Sequence, residues 1–154
     1  MSERKTLGVD ITGVIVKNAG TDNYLQIPGA LDALKELVDK HFGDDGVFLV
    51  SVGNEEKEGK TRRWFKNNHF YNLTGIKPEH VHFCRQRSDK TIICNELGIT
   101  YFIDDKLENL SYLTIVPNLY LFQGRPEEMR PFLHCLDRVK QVNSWSEILQ
   151  VELW

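Results

Sequence analysis

Asp10, Ser51, Lys90 and the pair Asp104–Asp105 are the residues of this chain whose types and spacing could do chemistry together. Asp10, Ser51 and Asp104 each end a short apolar run, and Lys90 follows a polar turn. Carboxylates at two such ends can bind a hard cation such as Mg²⁺, which prefers oxygen ligands and keeps several waters. An ionised Asp10 can also serve as a nucleophile toward phosphorus. The Ser51 hydroxyl can hydrogen-bond a phosphoryl oxygen, and the Lys90 ammonium can offset the charge of both the phosphate and the carboxylates. A metal, a lysine and a hydroxyl gathered around one carboxylate form a phosphoryl-transfer site. Each residue also has a plainer reading. Asp10 and Ser51 suit ordinary turns, Asp104–Asp105 suit a helix N-cap and first turn, and an exposed lysine is the default.

These residues can meet only if their elements bring them to one place. Leu7-Gly8-Val9 reads as a buried strand running into Asp10, and Thr12-Gly13 breaks it. Val14-Ile15-Val16 and Tyr24 to Ile27 flank a polar turn and predict a hairpin or flap. Pro28-Gly29 opens a helix with Leu31, Leu34, Leu37 and Val38 on one face. Val47 to Val50 is a second strand, ending at Ser51, and a charged helix follows over roughly 55–69. Val81 to Cys84 is a third strand. A helix from Lys90, with Asp89 as its cap, ends at Gly98, and Tyr101 to Ile103 form a fourth strand. Leu119 to Phe122 form a fifth, with a helix from Met129 to Val139 and a short one from Trp145 behind a Ser144 cap. Strands apolar on both faces, alternating with helices, predict a Rossmann-like parallel sheet of about five strands with helices on both faces. In such folds ligands sit beyond the carboxyl ends of the strands, where these acids and this serine lie.

The ordered set of motifs resembles the haloacid dehalogenase (HAD) superfamily over most of the chain. Asp10-Ile11-Thr12-Gly13-Val14 is similar to its first motif, Val47 to Ser51 to its second, Lys90 to its third and Ile103-Asp104-Asp105 to its fourth. The resemblance implies that Asp10 is the nucleophile and a Mg²⁺ ligand. It implies that Ser51 and Lys90 hold the transferred phosphate, and that Asp104, Asp105 and the Thr12 backbone carbonyl serve the metal. A phosphorylated substrate, a small molecule or a macromolecule, is implied with them.

Thr12 is a departure. The family's phosphatases usually carry a second Asp there as general acid and base, a contribution worth about 10²–10⁴-fold. A phosphatase with Thr12 should be slow, favour good leaving groups, or take its base from elsewhere. A catalytically weak or inactive phosphate- or metal-binding module is the alternative. Flap plus helix fill the interval from Asp10 to Ser51, and helix plus strand fill that from Ser51 to Lys90. Little room is left for a cap domain, and residues 1–154 read as a single domain without one.

Arg85 and Arg87 lie between the third strand and Lys90 and could contact a second phosphate or a nucleic-acid backbone, since the guanidinium fork matches phosphate oxygens. A nucleic-acid end phosphatase is the further alternative they raise, although a solvated loop is the default for such charges. Lys57, Lys60, Arg62, Arg63 and Lys66 are diluted by Glu55, Glu56 and Glu58 and read as a solvated helix face. His80, His82 and Cys84 alternate as a half-buried strand does, and no fourth zinc ligand accompanies them. Trp145 and Trp154 read as packing anchors.

Composition removes other classes. With 154 residues and 27% charged, the chain can bury a core without disulfides. Nineteen basic against twenty-two acidic residues, a net charge of −3, argue against a dedicated nucleic-acid coat. The three cysteines form no CxxC pair, and a reducing, cytoplasmic setting is expected. No apolar run approaches the roughly 20 residues that span a bilayer, and the N-terminus lacks the pattern of a signal peptide. Oligomeric state leaves no trace in the sequence.

Overall fold

The computed structural model describes residues 4–20 and 23–151. Its frame is a six-stranded, wholly parallel sheet made of β1 (Leu7–Val9), β4 (Val47–Val52), β5 (Val81–Cys84), β6 (Tyr101–Asp104), β7 (Asn118–Phe122) and β8 (Val139–Val142). The spatial order is β5-β4-β1-β6-β7-β8. β1 lies between β4 and β6, with Val9 opposite Leu49 on one side and Ile103 on the other. A separate antiparallel hairpin, β2 (Val16–Asn18) and β3 (Tyr24–Gln26), forms the expected flap directly after Asp10.

Strand residues alternate between two apolar layers, as the period of two requires. Leu7, Val9, Ile103, Tyr120 and Phe122 face one layer with Leu34 and Leu37 of α1 (Ala30–Leu37). Phe65 of α2 (Glu55–Asn67), Phe70 of α3 (Phe70–Thr74), and Trp145 and Ile148 of α7 (Trp145–Leu149) complete that layer. Phe102, Leu119 and Leu121 face the other, with Cys94 of α4 (Asp89–Leu97), Leu107 and Leu110 of α5 (Leu107–Ser111), and Met129 of α6 (Pro126–Met129). Helices therefore cover both faces, which is why the central strands are apolar throughout.

Among the described residues the sheet has six strands, not about five. The helix expected over Met129 to Val139 is instead the end of α6 followed by a 3₁₀ run, Arg130–Arg138, bent at Phe132. Phe132, Cys135, Leu136 and Val139 follow a helical spacing, which hides the change of structure. β8 is an edge strand with Lys140 and Gln141 exposed, so it carries too little apolar signal to be read alone and is defined by pairing with β7. α5 carries no sequence signal either. It has five residues, too short for a periodic pattern.

Trp145 is a packing anchor as expected, fully buried and donating Nε1–H to the Val14 carbonyl at 2.8 Å. It thereby ties the last helix to the turn that follows Asp10. Trp154 lies outside the described residues. Between Asp10 and Ser51 the described chain forms the flap and α1, and between Ser51 and Lys90 it forms α2, α3 and β5, so no cap is inserted at either place. No helix among the described residues is long and apolar enough to cross a membrane. Cys84, Cys94 and Cys135 are buried free thiols.

Candidate active site

Parallel pairing brings the ends of β1, β4 and β6 side by side, and so gathers the residues that end them. Asp10 leaves β1 with its N–H bound to the Ile103 carbonyl at 2.9 Å, a β-ladder bond continued past the strand. Asp104 is the last residue of β6, and Asp105 begins the next turn. Oxygens of Asp10, Asp104 and Asp105 lie within 4.8 Å of one another, the single such grouping of potential metal ligands among the described residues. His80, His82 and Cys84 form none. His80 instead stacks on Phe48 with ring centroids 4.2 Å apart, and its Nδ1 pairs with the Val47 carbonyl.

Lys90 comes from the first turn of α4 and is fully buried between two of these carboxylates. Its Nζ is 2.7 Å from Asp104 Oδ2 and 3.3 Å from Asp10 Oδ1. Asp104, also fully buried, accepts from the Lys106 backbone N–H at 3.0 Å and from Asn109 Nδ2 at both oxygens. Asp104 thus has a local turn-stabilising role as well as its place in the cluster. Arg87 lines the cleft and donates to Asn109 Oδ1 at 2.9 Å, so it supports Asp104 through one intermediary.

Three acids around one lysine leave excess negative charge in a dry place. Burial opposes ionisation of Asp10, but Lys90, a hydrogen bond with Asp105, and Lys57 together hold its carboxyl below the usual range. Burial and the Asp10 charge raise Asp104 against the pull of Lys90. Burial, with the Asp10 and Asp104 charges, pushes Asp105 up to about 8. Burial would lower Lys90, yet Asp10 and Asp104 raise it above the ordinary lysine value, so it stays an ammonium. A cation among the carboxylates would compensate what Lys90 alone does not.

Other atoms here also lack a partner. Thr12 Oγ1, Ser51 Oγ and Asp105 Oδ1 are buried without a hydrogen bond. Buried polar groups are normally satisfied, and unsatisfied ones call for an explanation. Ser51 is fully buried in β4, one residue beyond the level of Asp10 in the sheet register. Gly13 adopts φ +94°, and a Cβ there would collide with the Asp105 carboxylate, so only glycine fits beside that acid.

Above the acids opens a cleft of about 460 Å³, lined among others by Asp10, Thr12, Asp105, Lys57, Arg87 and Arg125. Arg85 is not part of it. Its guanidinium donates to the Gly53 carbonyl at 2.7 Å and to Glu58 at 3.2 Å, apart from Arg87, which lines the cleft. Lys57, expected on a solvated helix face, lines the cleft. Its signal was available in Asn54, whose side chain accepts from the Lys57 N–H at 2.8 Å and fixes that residue in the first turn of α2. Lys17, Lys106, Asn109 and Arg125 also line the cleft, and no local pattern marks them.

No family model and no curated protein sequence matches this chain. Among solved structures, it is similar to the D,D-heptose 1,7-bisphosphate phosphatase from Burkholderia thailandensis, with a TM-score of 0.61 and 14% identity. The match covers 94% of this chain and 95% of the other. At that identity the likeness speaks for the fold alone, a Rossmann-like parallel sheet with helices on both faces.

Proposed function

We propose that this protein is a Mg²⁺-dependent phosphatase that works through an aspartyl-phosphate on Asp10. The observation that carries this reading is the carboxylate cluster of Asp10, Asp104 and Asp105 with buried Lys90 behind it, and with unpartnered buried oxygens on Asp105, on Thr12 and, in the adjacent strand β4, on Ser51. The phosphatase named among similar structures adds support for a phosphorylated substrate.

The donor set fits a hard cation. It offers only oxygens, and one buried carboxylate oxygen, Asp105 Oδ1, has no other partner. Asp10, Asp104, Asp105 and the Thr12 carbonyl would hold it. When bound, Mg²⁺ supplies charge neutralisation for the phosphoryl oxygens. The chain's own residues do the rest. Asp10, held ionised beside Lys90, presents a carboxylate oxygen to phosphorus. The Ser51 hydroxyl donates to a phosphoryl oxygen, and the Lys90 ammonium draws negative charge toward the floor of the site. Asn109 and the Lys106 N–H fix Asp104, so the site is set before substrate arrives.

The test is turnover of p-nitrophenyl phosphate. EDTA is expected to abolish it and added Mg²⁺ to restore it. Mg²⁺ at about 100 times its Kd should also stabilise the fold against heat by about 2.7 kcal/mol, a readout that needs no substrate. Activity that survives thorough chelation, with no Mg²⁺-induced rise in Tm, would remove the metal from this account.

Thr12 favours a second reading, a phosphate- or metal-binding module with little turnover, because its buried hydroxyl cannot take and return a proton as a carboxylate does. Thr12→Asp separates the two. On the enzyme reading, the wild type already turns over aryl phosphates and the variant gains about 10²-fold or more on poor leaving groups. Turnover that appears only in the variant assigns the wild type to binding.

A further inference from the structure

Thr12 offers no acid to the leaving group, and Lys57 lines the cleft beside it. Its Nζ donates to the carbonyl of Val52, the last residue of β4, at 2.8 Å. Its stem lies against Gly53, where any added Cβ would come within 2.6 Å of Lys57 Cδ. The missing side chain at Gly53 is what lets the lysine fold back over the sheet edge. Asn54 holds the backbone N–H of Lys57 at the same corner. An ammonium has three donors, and Val52 takes one. The others face the cleft that Lys57 lines with Thr12 and Asn18, and a smaller adjoining cleft lined by these three among others. Lys57 lines the same cleft as Asp10, on the side of Thr12 and Asn18.

An in-line displacement sends the leaving oxygen away from Asp10. Lys90 and Ser51 are buried at the floor, so that oxygen departs toward the open cleft. We infer that Lys57 is a catalytic residue whose ammonium hydrogen-bonds the leaving-group oxygen as the ester bond breaks. This rests on the aspartyl-phosphate reading above. An Asp10 oxygen forms a bond to phosphorus, the bond from phosphorus to the ester oxygen breaks, and its electron pair moves onto that oxygen. Lys57 stabilises the resulting negative charge and keeps its own proton, and water protonates the released alcohol.

The experiment compares wild type with Lys57→Met and Lys57→Arg over a series of aryl phosphates from p-nitrophenyl to phenyl phosphate, in Mg²⁺, reading kcat/KM. This constant reports the step in which the leaving group departs. Met keeps the stem against Gly53, and thermal melts check that each variant is folded. Lys57→Met should lose about 10²–10³-fold on phenyl phosphate, the size of one lost donor to developing charge, and at most about tenfold on p-nitrophenyl phosphate. The dependence of log(kcat/KM) on leaving-group pKa therefore steepens, and Lys57→Arg recovers part of it. An equal loss on every substrate, or none, in a folded variant overturns the role of Lys57 and leaves the phosphatase reading standing. A wild type that turns over no aryl phosphate overturns both.

Discussion

Replacing Asp10 by Asn is expected to lower phosphatase turnover by on the order of 10⁴-fold or more while changing the stability of the fold little. The first half follows from the loss of the nucleophile, since removing one member of a catalytic unit costs about as much as removing the unit. The second half follows from the charges. Asp10, Asp104 and Asp105 crowd one dry site that holds a single buried lysine. A carboxamide keeps the volume of Asp10; it gives up the ion pair with Lys90 but relieves Asp104 and Asp105, both of which the Asp10 charge raises. It can also donate a hydrogen bond toward Asp105, whose Oδ1 lacks a partner. Active sites commonly hold such a conflict between function and stability. Aryl phosphate turnover and a thermal melt of the same sample measure both halves. Unchanged turnover moves the nucleophile elsewhere, and a large fall in Tm contradicts the charge balance drawn here.

Lys90→Met has the opposite profile, with a heavy cost in stability. Lys90 is fully buried, its ammonium 2.7 Å from Asp104 and 3.3 Å from Asp10, with the Phe102 ring 5.2 Å away. Met fills most of the stem but leaves two buried carboxylates uncompensated. Breaking a buried pair by removing one partner costs about 3–5 kcal/mol. Native proteins of this size have only about 5–15 kcal/mol in hand. The expected loss is therefore on the order of 10 °C in Tm, at about 2–4 °C per kcal/mol for a domain of this length. Combining Lys90→Met with Asp104→Asn should recover part of it, because the second change removes the charge the first one stranded. In the wild type, the folded state raises the lysine above its usual value. Its contribution is thus fully present below the ordinary lysine pKa and is lost only as pH rises through the higher folded value. A double variant no more stable than Lys90→Met alone counts against a direct charge coupling.

Much of the frame was legible because short-range patterns report burial. Val9, Leu49 and Ile103 sit in strands apolar on both faces, and such strands belong to a parallel sheet covered on both sides. Pro28-Gly29 before α1 and Gly98 after α4 mark helix boundaries that local chemistry alone imposes. β8 was not legible, because an edge strand buries little and its pairing partner β7 is what defines it.

The candidate site divides along the same line. Asp10, Ser51 and Asp104–Asp105 could be named from sequence because each ends or directly follows an apolar strand, and a parallel sheet delivers such ends to one edge. The state of each group was decided by tertiary structure. Only packing shows that Lys90 is buried between two acids, that Arg85 is held by Glu58 away from the cleft, and that Asn109 reaches back to Asp104. Only packing shows Lys57 folded over Gly53 onto the Val52 carbonyl. Sequence by itself determined which residue types arrive at the strand ends, since apolar runs and turn residues act over a few positions. Tertiary structure decided which of them are charged, paired or free, because desolvation and Coulomb forces depend on neighbours far apart in the chain and close in space.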